Sequence, residues 1–148
     1  MTAKSAFSED EWSLIAEGPA TAGMIVIRAD RGGTFQETWA LTRAYVDTRQ
    51  QHGESELLDE IVSAKPEFDR HRYHSDDQLR SGGLQRIADA VALLRVRATP
   101  EELSDYGEFV LAVATRVARA HQEQEGQEMS PAEQAALDEI RAQVGVAT

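Results

Sequence analysis

Cysteine is absent from this 148-residue chain, which excludes disulfides, thiolate metal sites and cysteine nucleophiles. Familiar catalytic patterns are missing too. No Gly-rich loop runs into Lys-Ser or Lys-Thr, and neither Gly-x-Ser-x-Gly nor His-Glu-x-x-His occurs. Nothing in the motifs argues for an enzyme. Long apolar runs are lacking as well. The longest uncharged stretch, Gly18 to Ile27, falls far short of the roughly 20 apolar residues that span a bilayer. Met1–Phe7 leads straight into Ser8-Glu9-Asp10-Glu11 without an apolar run of signal-peptide length. The expectation is a cytoplasmic protein with no direct membrane insertion.

Positive charge is scarce. Lys and Arg number 15 against 26 Asp and Glu, a formal net charge of −11. Binding a duplex requires a cationic surface that displaces counterions, so nucleic acid is not an expected partner. Anionic membrane faces are disfavoured by the same repulsion. Metal cations and basic protein surfaces are compatible with it. What the chain does have is a core: 41% of its residues are hydrophobic, in a length that suits one domain.

The pattern of those residues is helical. One arrangement occurs twice: a capping Ser or Thr with an acid three positions on, an apolar helix, a Gly-containing turn, then a second such box. The first copy runs from Ser8 and Glu11, over Asp30-Arg31-Gly32-Gly33, to Thr34 and Glu37. The second runs from Thr99 and Glu102, over Glu125-Gly126-Gln127-Glu128, to Ser130 and Glu133. Each box satisfies two backbone N–H groups that a helix start leaves orphaned. Ala20–Ala29 is apolar on nearly every face and belongs at the centre of a bundle. Leu84, Ile87, Val91, Leu94 and Ala98 form one three–four stripe; Leu103, Tyr106, Val110, Val113, Val117 and Ala120 form another. Leu137, Ile140 and Val144 form a third, stopped by Gly145.

Punctuation comes from proline and glycine. Gly18-Pro19 is expected to break or kink the first helix, and Gly82-Gly83 to interrupt any helix across residues 66–83. Pro100 and Pro131 sit at first helical positions, where a missing N–H costs nothing. No segment alternates with period two, so no strand is expected. The fold class is all-α: a compact bundle of six to eight helices built from two pseudo-repeated hairpins. These span about residues 8–51 and 99–145, with connector helices over 55–98, and the Ala20–Ala29 and Val110–Ala120 helices pack side by side.

The hairpin unit resembles the TerB-like helical domains of the tellurite-resistance TerB family, or a related bacterial family, in which it occurs twice by pseudo-symmetry. Ala29-Asp30-Arg31-Gly32-Gly33-Thr34-Phe35-Gln36-Glu37 is similar to the first unit, and Ala120 with Glu125–Glu133 to the second. The likeness covers residues 20–46 and 109–145. It departs from the family's direct Asp-Gly, since Arg31 intervenes in one unit and Glu125 precedes Gly126 in the other. The resemblance implies an interaction module of a bacterial stress or envelope-associated assembly.

Three sets of residues could carry chemistry. Asp69–Asp77 crowds metal-capable side chains, with His71 and His74 sharing a face if helical; imidazole and carboxylate suit zinc, nickel or iron. Against a metal site, Arg70 and Arg72 put positive charge beside a would-be cation, and the segment reads rather as a polar connector in which Ser75 caps the next helix and Gln78 completes the box. Asp30 with Glu37, and Glu125 with Glu133, could gather oxygen ligands for a divalent metal, or act only as turn and capping acids. Finally, Phe68, Arg70, Arg72 and Tyr73 combine aromatic anchors with arginines, the residue types enriched at binding hot spots. They offer a dock for a protein partner or a second copy of the chain, or a seal under the bundle. Trp12, Trp39 and Tyr45 line a cleft or fill the core.

Overall fold

The computed structural model describes residues 4–29, 43, 45–46, 60–61, 72–125 and 131–145. Among them the chain is all helical, without a strand. A 3-10 turn, Lys4–Ala6, precedes α1 (Glu9–Ala29), followed by α2 (Asp76–Arg97), α3 (Pro100–Glu125) and α4 (Pro131–Val144). Arg43, Tyr45, Val46, Glu60 and Ile61 are also helical. Four helices are thus seen among the described residues where the sequence suggests six to eight. Residues 34–42, which open the second helix of the first hairpin, lie outside them. No described helix is long and apolar enough to cross a membrane.

The capping boxes sit where their spacing places them. The Ser8 N–H donates to Glu11 Oε1 at 2.9 Å, and the Glu11 N–H returns to Ser8 Oγ at 3.1 Å. Thr99 and Glu102 repeat this at 3.0 and 3.1 Å. Ser75 caps α2 by accepting from the Gln78 N–H at 3.1 Å, while Gln78 reaches back to the His74 N–H at 2.9 Å. At the other end of the bundle, Gly145 closes α4 at φ +70°, its N–H donating to Arg141 O. That left-handed turn is open to glycine at no steric cost.

Helix α1 is the centre of the molecule. Every residue from Ile15 to Ile27 is buried, and the helix packs against each of the other three, most extensively α3 and α2. Helix α2 runs against it in the opposite sense: Arg97 reaches Ala6 and Glu11, Arg86 reaches Glu17, and Gly83 lies on Thr21 and Ile25. Helix α3 then turns back along α1, and its Tyr106, Val110, Val113 and Val117 are completely enclosed. The adjacency of these two helices follows from the need of their apolar stripes for buried surface, worth about 1.5–3 kcal/mol per large side chain. Helix α4 completes the layer, burying Leu137, Ile140 and Val144 against α3, α2 and α1.

Two expected interruptions do not occur. Helix α1 runs unbroken through Gly18-Pro19, and α2 runs unbroken through Gly82-Gly83. In α2 the reason is close packing. A Cβ built on Gly83 would stand 2.9 Å from Thr21 Cγ2 and 3.0 Å from Ile25 Cδ1, inside the buried face of α1. A Cβ on Gly82 would meet the half-buried Tyr73 ring, at 3.0 Å from Cε1 and 3.5 Å from Cδ1. Glycine costs each position about 1 kcal/mol of helix propensity, and tight packing of α2 on α1 offsets this. The two glycines should therefore respond differently to alanine. Gly83→Ala is expected to lose about 1–3 kcal/mol through overpacking, and Gly82→Ala to stay within about 1 kcal/mol of the parent. Urea midpoints measure both; equal shifts would remove the packing explanation.

Candidate functional site

The start of α1 builds an open concavity. Phe7, nine-tenths buried, anchors the chain ahead of the helix, and Trp12 follows one turn into it. Their rings lie 6.1 Å apart, tilted by 44°. Together with Ser5, Ser8, Glu9, Ser13 and Glu60 they line a groove of about 780 Å³. Its size falls within the range of ligand sites. Its openness suits a side chain presented by another molecule better than an enclosed small molecule. Glu9 and Glu60 form no ion pair among the described residues. Glu11, by contrast, is engaged: the Ser8 N–H and then Arg97, 3.1 Å away, hold its carboxyl below the usual range. The groove thus offers aromatic surface beside two carboxylates, which is chemistry for a cationic group flanked by apolar carbons.

A second cluster lies further along α1. Glu17, buried apart from a small fraction of its side chain, receives Arg86 Nη2 at 2.8 Å and has Arg72 at 3.8 Å. A carboxylate between two guanidiniums is compensated, so this cluster ties α2 and the segment before it to α1.

Below it the chain solves the problem that Pro19 creates. Proline has no N–H, so the Ile15 carbonyl lacks its helical donor. Tyr106 of α3 supplies one, its hydroxyl donating to Ile15 O at 2.6 Å inside the core. Burial raises the Tyr106 phenol well above the usual tyrosine range, with Tyr45 adding to the shift, so the hydroxyl stays a donor at neutral pH. Gly18 makes the approach feasible: a Cβ there would overlap the Tyr106 hydroxyl.

The residues singled out from sequence fall as follows. Tyr73 is half buried and lies over Gly82, and Arg72 is exposed and turned toward Glu17. His74 is exposed, with its backbone N–H held by Gln78. Glu133 is only 2% exposed, on the first turn of α4. Glu125 is the last residue of α3. Phe68, Arg70, His71, Asp30 and Glu37 lie outside the described residues, as do Trp39, Thr34 and Ser130. Among the described residues no three His, Asp or Glu side chains gather as a metal site. Tyr45 belongs to the core, edge-on to Phe109 at 5.5 Å. The sequence does not mark the groove at Phe7 and Trp12 as a unit, because Glu60 joins it only through the fold. A search of protein families, curated proteins and solved structures finds no match to this chain.

Proposed function

We propose that this protein is an interaction module that docks a basic partner segment at the start of α1. The observation that carries this reading is the open Phe7–Trp12 groove with Glu9 and Glu60 at its rim, in a chain of net charge −11. A Lys or Arg side chain laid across Trp12 gains cation–π attraction, and its ammonium or guanidinium meets the two carboxylates. The acidic surface as a whole speeds encounter with such a partner and repels acidic ones. The likeness of the hairpin unit to TerB-like domains supports an interaction role in a bacterial stress-related assembly, in the cytoplasm. It also supports reading the chain as a pseudo-repeat. No cofactor is required.

Calorimetry with a short peptide alternating Lys and Leu tests this, beside the same peptide with Glu in place of Lys. The basic peptide is expected to bind, more weakly as salt rises, and the acidic one not to bind. Neutralising both rim acids, Glu9→Gln with Glu60→Gln, is expected to weaken binding about tenfold, or 1.4 kcal/mol. Absence of binding, or equal binding by the double variant, overturns the reading. Titration with zinc, manganese and calcium tests the metal alternative directly.

A further inference from the structure

Every α1 residue that lines the groove lies on the N-terminal side of Gly18-Pro19. The two sides of that point are held differently. From Ala20 to Ile27 the helix is enclosed on all faces. From Glu9 to Leu14 it is exposed or half-buried, with Trp12 and Leu14 resting on the core and Arg97 paired to Glu11; only the short stretch Ile15–Glu17, where Arg86 and Arg72 reach Glu17, is buried on this side. Between the two parts the backbone ladder lacks one rung, because Pro19 cannot donate to Ile15 O. The replacement comes from a different helix, as the buried Tyr106 hydroxyl. Helices bend where a proline removes such a bond.

We propose that Gly18-Pro19 is a hinge and Tyr106 its latch, so that release of the Tyr106–Ile15 bond lets the Glu9–Glu17 segment move and changes the width of the groove. The effect on binding rests on the groove being the docking site; the hinge itself does not. Amides of a segment that opens locally exchange faster than those of the core around it. Phenylalanine at position 106 keeps the ring and removes only the latch. Alanine at position 19 restores the missing backbone donor inside α1.

Hydrogen exchange of the full chain, read by mass spectrometry, separates this from a static clamp. Tyr106→Phe is expected to speed exchange in Asp10–Gly18 about tenfold or more, with Ala20–Ala29 and α3 changing much less. Adding Pro19→Ala to Tyr106→Phe is expected to return Asp10–Gly18 to near the parent rate. Uniform acceleration through α1 and α3, or failure of Pro19→Ala to rescue, overturns the hinge. If Tyr106→Phe is too unstable to measure, Pro19→Ala alone decides: slower exchange confined to Asp10–Gly18 supports the hinge, and no change overturns it. The Lys–Leu peptide gives the second readout. A change in its affinity of about threefold or more in Tyr106→Phe, reversed by Pro19→Ala, is expected. An unchanged affinity overturns the link to the groove, while absence of binding to the parent protein overturns the docking reading and leaves exchange to decide the hinge.

Discussion

Gly18→Ala should cost this protein about 2–4 kcal/mol, although alanine improves an ordinary helical position by about 1 kcal/mol. The new methyl group would occupy the space of the Tyr106 hydroxyl and stand 3.2 Å from ring atom Cζ. Tyr106 is fully enclosed, so the ring has no free space into which to retreat. If it shifts, Ile15 O loses its substitute for the Pro19 N–H, and a buried carbonyl without a donor costs about 1–3 kcal/mol. If it stays, the overlap appears as strain of similar size. Chemical denaturation measures the sum, and a double-mutant cycle divides it. With Phe in place of Tyr106 the hydroxyl is already gone, so the cost of Gly18→Ala should fall by about 1 kcal/mol or more. Additive costs would show that glycine and tyrosine are not matched to one another.

The largest loss is expected from Val113→Asp. Val113 is completely buried midway along α3 and belongs to the main apolar cluster. A carboxylate there would sit inside the apolar cluster, and burying an uncompensated charge costs more than about 4 kcal/mol. Domains of this size have about 5–15 kcal/mol in all, so the cooperative melt should be lost or greatly lowered. Val113→Ala, which removes two carbons but adds no charge, should cost only about 2 kcal/mol. The same aspartate at Val96, 83% exposed near the end of α2, should change stability by no more than about 0.5 kcal/mol. A Val113→Asp protein that melts like the parent would contradict the burial of α3.

Local chemistry is legible in the sequence, and tertiary compensation is not. Ser8 with Glu11 and Thr99 with Glu102 announce their hydrogen bonds by spacing alone, since both partners belong to one helical turn. The stripe through Ile87, Val91 and Leu94 is equally plain, because burial on one face imposes the period. Pro19 reads as a break because its local effect is a break. The remedy lies 91 residues away from Ile15, in the tyrosine of another helix. Gly82-Gly83 misleads for a related reason: the small volume that weakens α2 in isolation lets Thr21 and Ile25 approach it. At the candidate site, Trp12 is visible as an aromatic with two readings. Its pairing with Phe7 depends on how the chain enters α1, and the second carboxylate, Glu60, arrives from a distant stretch of chain.

The central position of α1 bears on how the molecule comes to be made. Its partners in the core are supplied by α2, α3 and α4, and contacts such as Arg86–Glu17 and Tyr106–Ile15 join residues 69 and 91 apart in the chain. Helical bundles usually fold fast because their contacts are local. Here the most apolar helix leaves the ribosome before all three of its partners, and α4 follows last of them. At about 5–20 residues per second, that interval lasts several seconds or more. Throughout it, the run from Ala20 to Ile27 lacks part of the cover that the finished bundle gives it.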